Sequence, residues 1–138
     1  VGNITTLSLN DGLTTPVART FTPVSVGTEL VQWNYKAAGS VLGQPTVTLG
    51  VRRPTLANGN RKVTYRVKVP VLETVVASAS GYTPGPTVAY TLSANVDVVI
   101  PGRASASEIA DLWAFALNGL QEANAFVADA VKEDDFPY

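Results

Sequence analysis

The sequence predicts an α+β domain: an antiparallel sheet with one apolar and one polar face, followed by helices that cover the apolar face. Three observations predict it. Segments near 29–36, 46–53, 61–70 and 88–100 alternate apolar and polar residues with period two, as strands do when successive side chains point to opposite faces. Turn residues separate these segments. Beyond Ser105 the rhythm changes to i, i+3, i+4, the period of an amphipathic helix. With 138 residues, 46% of them hydrophobic and 15% charged, the chain is long enough for one core, and a single domain over 1–138 is expected.

Taken in order, residues 3–9 read as a strand and Asn10-Asp11-Gly12 as its turn. Residues 17–24 form its partner, with Pro16 and Pro23 marking an edge, so 1–24 make an N-terminal hairpin. Asn3-Ile4-Thr5 matches a glycosylation acceptor, a match common by chance. In 29–36, Leu30, Gln32, Asn34 and Lys36 share one face, and Val31, Trp33 and Tyr35 the other. After a Gly- and Pro-containing loop, 46–53 place Thr46, Thr48, Gly50 and Arg52 opposite Val47, Leu49 and Val51. Asn58-Gly59 signals a tight turn, since both residues tolerate φ > 0. Lys62, Thr64, Arg66 and Lys68 then alternate with Val63, Tyr65, Val67 and Val69, a basic comb backed by an apolar face. Pro70, which has no N–H to donate, ends that ladder. Residues 71–87, rich in small residues and proline, read as a long exposed loop. In 88–100, Tyr90, Leu92, Ala94, Val96, Val98 and Ile100 oppose Thr91, Ser93, Asn95 and Asp97. The sheet therefore spans 29–100.

The helical cover occupies 105–132. Ser105-Ala-Ser-Glu108 fits a capping box, and Asp111 lies where the macrodipole favours an anion. Ile109, Leu112, Trp113, Ala116, Leu117 and Leu120 form the apolar stripe. Gly119 weakens the helix near 118–121, and a second segment at about 122–132 carries Ala123, Phe126, Val127 and Ala130. The tail through Tyr138 is short and subject to fraying.

Net charge is −1, but the charges are segregated. No acid lies between Glu29 and Glu73, where Lys36, Arg52, Arg53, Arg61, Lys62, Arg66 and Lys68 all fall. From Asp97 onward acids dominate. Two surfaces with different tasks and an ordinary solvated surface are both open at this point. The sequence holds no His, Cys or Met. That removes the commonest general base, the thiol nucleophile, disulfides and thiolate metal sites. The missing Met fits a chain that starts at Val1 after removal of an initiator. No hydrolase elbow, P-loop or dinucleotide fingerprint occurs. Glu133-Asp134-Asp135 reads as a solvated helix end. No cofactor, no metal and no enzymatic activity are expected, and no run approaches the roughly 18 apolar residues of a membrane span. What remains is the polar sheet face: Thr48, Arg52, Thr64, Arg66, Lys68, Ser93 and Asn95. Such residues hold phosphates and hydrogen-bond bases of single-stranded RNA splayed on a sheet. Asp97 is equally placed to pair with Arg66 or Lys68 across strands.

Asn60-Arg-Lys-Val-Thr-Tyr-Arg-Val-Lys-Val-Pro70 resembles the Asn-Arg-Lys-x-Thr-x-Lys-Val-x-Val-Pro segment of coat proteins of single-stranded RNA bacteriophages, the leviviruses. The resemblance continues in order through Gln32-Trp33, Val47-Thr48, Val51-Arg52, Asn95, Ile100-Pro101 and a C-terminal Tyr138. It implies an N-terminal hairpin, a five-stranded antiparallel sheet and two C-terminal helices that interlock with a partner in a homodimer. Dimers would assemble into an icosahedral shell, with the polar sheet face inward on single-stranded genomic RNA. The protein would be part of the virion, assembled in the bacterial host cytoplasm. The apolar stripe Ile109, Leu112, Trp113, Ala116, Leu117 and Leu120 would line the dimer seam. Loop 71–87 would meet its copies at the symmetry axes.

The resemblance further implies an RNA site at Thr48, Arg52, Thr64, Arg66 and Asn95 with Leu30 beside it, which in some family members grips an operator hairpin and represses replicase translation. The chain departs from that pattern twice. Gly50 stands where a hydroxyl is usual, and Ser93 where a Tyr stacks on a base, a loss of about 1–3 kcal/mol per base. Arg66 for a Lys, and Lys68 where an acid can sit, add phosphate affinity. Two other classes stay open on the residues alone. One is a small, non-assembling RNA-binding protein, and the other an adhesion-type β subunit, which would generally lack the helical cover.

Overall fold

The structure, a computed structural model, describes residues 4–74, 78–82, 84–121 and 125–134. Val1, Asn3, Ala123, Asp135 and Tyr138, and residues 75–77 and 83 of the long loop, lie outside the described residues. The chain resolves into two compact units, one of Val1–Pro54 with Arg61–Val99 and one of Thr55–Asn60 with Ile100–Tyr138.

The first unit is an antiparallel meander of β1 (Leu7–Asn10), β2 (Ala18–Val26), β3 (Leu30–Asn34), β4 (Thr46–Arg52), β5 (Arg61–Leu72) and β6 (Val88–Ile100). They lie side by side in chain order as one sheet of six strands. The hairpin is therefore continuous with the sheet, and four strands follow it where the family resemblance implied five. The reason lies in β2, which pairs with β1 through Ala18–Phe21 and with β3 through Thr22–Val26. Between Pro23 and Ser25 the register shifts, leaving Val24 as one extra residue. Pro23 thus sits beside a bulge in an interior strand, where its missing N–H is tolerated, and does not mark an edge.

Two single-turn 3₁₀ helices, Lys36–Ala38 and Val41–Gly43, fill the expected loop between β3 and β4. Gln44, buried, ties them down: its Nε2 donates to the Gly39 carbonyl at 3.3 Å and its Oε1 accepts from Asn34 Nδ2 at 3.4 Å. β5 runs through Pro70 to Leu72, past its expected end. Its pairing with β4 stops at Thr46↔Lys68, so Pro70 faces no β4 neighbour that would need its N–H. Within the long loop, Ser78 to Tyr82 forms a local turn in which Gly81 adopts φ 85°, a left-handed conformation that favours glycine.

The second unit holds α1 (Ala106–Leu120), α2 (Ala125–Glu133) and the turn at 55–60. The capping box is present: Glu108 N–H donates to Ser105 Oγ at 3.4 Å, and Ser105 N–H to Glu108 Oε2 at 3.1 Å. α1 ends one residue after Gly119, as its position predicts. Asn58-Gly59 does not adopt positive φ, which among the described residues occurs only at Gly39, Gly81 and Asp134. The connection spans 53–60, too long to need a two-residue primed turn, and closes instead through Gly59 N–H to the Leu56 carbonyl at 3.1 Å. Gly102 packs on this turn so closely that a Cβ would lie 3.2 Å from the Gly59 oxygen.

An ion pair anchors the hairpin. Asp11 Oδ1 accepts from Val17 N–H at 3.0 Å and Leu13 N–H at 3.3 Å, while Oδ2 accepts from Arg19 Nε at 3.0 Å. Arg19 Nη1 also donates to the Tyr35 hydroxyl at 3.0 Å. The Val17 N–H foremost, with help from Leu13 and the Arg19 guanidinium, holds the Asp11 carboxyl below its ordinary 3.8 despite partial desolvation. A depressed folded-state pKa contributes stability that is present above the unfolded pKa and lost as pH falls through the folded one. Acidification through the carboxylate range should therefore speed amide exchange at Leu13 and Val17, and Asp11→Asn should flatten that dependence. The same acid response in the Asn variant would assign it to other carboxylates.

Candidate nucleic-acid interface

The pairing of β3, β4 and β5 assembles one polar face from residues distant in sequence. Leu30 opposes Gly50, which opposes Thr64; Gln32 opposes Thr48, which opposes Arg66; Asn34 opposes Thr46, which opposes Lys68. Arg52 opposes Lys62 at the end of the ladder. Side chains directly opposite on an antiparallel pair share a face, so the basic comb of β5 stands beside the threonine row of β4. The reverse face carries Val31, Trp33, Val47, Leu49, Val51, Val63, Tyr65 and Val67. Of these only Val47 is fully buried, at 0% exposure. Burial pushes the Tyr65 hydroxyl pKa up, in keeping with its place on that side.

Leu30, Thr48, Gly50, Thr64 and Arg66 line a concavity of about 220 Å³. Its floor is open because Gly50 has no side chain. A Cβ there would meet Leu30 Cδ1 at 3.4 Å and the Glu29 oxygen at 3.8 Å, ordinary contacts. Arg66 Nε donates to Asn95 Oδ1 on β6 at 2.8 Å. Four of the expected site residues thus converge on the concavity: Leu30, Thr48, Thr64 and Arg66. Asn95 joins them through Arg66, and Ser93 shares its face two residues earlier on β6. Arg52 and Lys68 lie on the same face but outside the concavity. Asp97 forms no ion pair with Arg66 or Lys68 among the described residues, where the one ion pair is Arg19–Asp11. The neutral Asn95 takes the guanidinium instead, so the comb keeps its positive charge.

The expected seam residues fall on α1, which buries none of its residues. Ile109 and Ala116 are half-buried, while Leu112, Trp113, Leu117 and Leu120 are exposed. Phe115, 74% exposed, extends the apolar surface and was not among the expected residues. Its spacing, three after Leu112, was the available signal. On α2, Phe126, Val127 and Val131 are exposed as well.

The family model described as levivirus coat protein matches residues 2–138. Among solved structures, the chain is similar to the virus-like particle of bacteriophage NT-214, at 33% identity and a TM-score of 0.87 over 99% of this chain and 100% of that one. It is similar to the virus-like particle of bacteriophage ESE058, at 26% identity and a TM-score of 0.85 over 99% and 100%. The same fold appears in an unassembled virus coat protein dimer described as a bacteriophage RNA-binding dimer, at 22% identity and a TM-score of 0.62 over 97% of each chain. No curated protein matches the chain.

Because Gly50 sits mid-strand with ordinary space around a Cβ, Gly50→Ala should stabilise the fold by roughly 0.5–1 kcal/mol. Denaturant unfolding at fixed protein concentration measures this; a loss of stability would mean that the backbone there needs glycine.

Proposed function

The chain belongs to the levivirus coat protein family, a structural component of the phage capsid, and from that premise we propose how it performs the task. The whole of 1–138 acts as one coat-protein domain. It forms a homodimer in which Ile109, Leu112, Trp113, Ala116, Leu117 and Leu120 line a seam between interlocking helices. Dimers close into an icosahedral shell inside the bacterial host cytoplasm. The polar sheet face, with Leu30, Thr48, Arg52, Thr64, Arg66, Lys68, Ser93 and Asn95, turns inward and packages single-stranded RNA. Loop 71–87 meets its copies at the symmetry axes. The protein's work is assembly, not catalysis.

The observation that carries the RNA-facing reading is the registered row of Arg52, Lys62, Arg66 and Lys68 beside Thr46, Thr48 and Thr64. Cations there attract the phosphate backbone, and hydroxyls offer donors and acceptors to bases and riboses. The dimer reading is supported by α1, whose Trp113 is 51% exposed and which buries nothing in the isolated chain. An apolar surface of that kind is the mark of an association surface. The Gly50 and Ser93 departures favour general packaging over recognition of one operator hairpin.

Electron microscopy of the protein expressed alone tests assembly directly. Round shells containing RNA are expected, whereas small dimers with bound RNA would instead support a non-assembling RNA-binding protein. Replacing Arg66 and Lys68 together by Ala should leave the fold intact and lower the RNA carried. The slope of log affinity against log salt should fall by about 1.4, at about 0.7 per lost single-strand contact. Unchanged RNA content would count against an inward-facing comb. Leu112→Asp should block dimers by placing an unpaired charge in the seam, a cost of about 4 kcal/mol or a thousandfold in association. Light scattering on a size-exclusion column would reveal this, and normal assembly of the variant would relocate the seam.

A further inference from the structure

Arg66 is the one cation of the comb whose orientation is fixed by a neighbour. Its Nε is committed to Asn95 Oδ1 at 2.8 Å, and its remaining guanidinium N–H groups have no partner among the described residues. A guanidinium carries five donors in a rigid planar fork. With the Nε edge taken, what stays available is the end-on pair on Nη1 and Nη2, parallel donors in one plane. They border a concavity of about 220 Å³, below the roughly 300–1,000 Å³ that encloses drug-sized ligands and on the scale of one base. Leu30 gives it an apolar wall, Gly50 leaves its floor clear, and the Thr48 and Thr64 hydroxyls can donate or accept.

Two parallel donors need two adjacent acceptors. Guanine presents them at O6 and N7. Adenine offers the N7 acceptor beside an N6 donor, cytosine an N4 donor, and uracil one O4 acceptor. A phosphate also offers paired oxygens, but the apolar Leu30 wall disfavours it, and the open comb of Arg52, Lys62 and Lys68 serves it better. We infer that this concavity reads a single guanine base of RNA through an end-on contact from Arg66, with Asn95 as the residue that positions the fork. The inference rests on the RNA-facing reading of the sheet proposed above.

The test is fluorescence anisotropy of the full-length protein with labelled oligouridylates that carry one central guanosine, inosine, 7-deazaguanosine or adenosine. Inosine keeps both O6 and N7, 7-deazaguanosine loses N7, and adenosine replaces the O6 acceptor by a donor. Guanosine and inosine should bind about tenfold more tightly than the other two, the scale of one bidentate base contact. Arg66→Lys, which keeps the charge but not the fork, should bring the ratio close to one. Asn95→Ala should lower the ratio without weakening binding to plain oligouridylate, and Asn95→Asp, which still accepts from Nε, should retain it.

Equal affinity for the four probes in the native protein, or a preference for adenosine, would overturn the guanine assignment while leaving the RNA-facing sheet in place. A uniform drop for every probe in Arg66→Ala, with no ratio in the native protein, would assign Arg66 to phosphate and overturn it equally. Failure to bind any of the oligonucleotides would remove the RNA-facing reading itself.

Discussion

A slip of β5 by one residue against β4 would carry Arg66 and Lys68 onto the face of Val47 and bring Tyr65 and Val67 out among the threonines. Side-chain direction alternates with period two, so every residue of a strand changes face together. The register from Thr46↔Lys68 to Arg52↔Lys62 is therefore the constraint on which the rest depends. Val47, fully buried, resists the slip on one side, because four cations and a threonine row cannot replace valines and a tyrosine against a core. The concavity inherits its composition from the same pairing. Leu30, Gly50 and Thr64 meet because three strands agree on one row, and Thr48 and Arg66 meet on the next.

The second constraint is unburied surface. Among the described residues only Phe21, Val47 and Ile100 are buried apolar side chains, in a chain that is 46% hydrophobic. A soluble monomer of this length would enclose far more of its aliphatic and aromatic residues. The helices make the point most sharply, since they are well capped and strongly two-sided yet leave Leu112, Trp113, Phe115 and Phe126 open. Local signals suffice to form such helices, but packing is what stabilises them. Stability of the fold and association of copies are then linked by mass action, as for obligate dimers with no stable folded monomer.

Elements governed by neighbouring residues could be read from the sequence, and those governed by distant ones could not. The bounds of β6 at 88–100 and the Ser105–Glu108 capping box follow from alternation and spacing alone. Pro70 misled, because a proline ends a strand only where a neighbour needs its N–H, and β4 has already stopped there. Asn58-Gly59 misled for a related reason: its preference for a tight turn is a local bias that a longer connection does not use. At the site, the residue types on the polar face were readable, and their grouping was not. Arg66 could pair with Asn95 or Asp97 on pattern alone, and only the register between β5 and β6 decides for Asn95. The Asp11–Arg19–Tyr35 cluster was hidden likewise, as it joins a turn, β2 and the end of β3.

The bulge in β2 bears on how such a gene tolerates loss of codons. With Val24 left out, the pairs Thr22↔Asn34, Pro23↔Trp33, Ser25↔Gln32 and Val26↔Val31 run on without interruption. In-frame deletion of that one codon keeps every flanking side chain on its own face. Removing any other codon of β2 shifts one half of the strand against its neighbour and turns its residues over. Length variation in this strand is thus confined to a single position, a restriction on insertions and deletions that no table of tolerated substitutions would reveal.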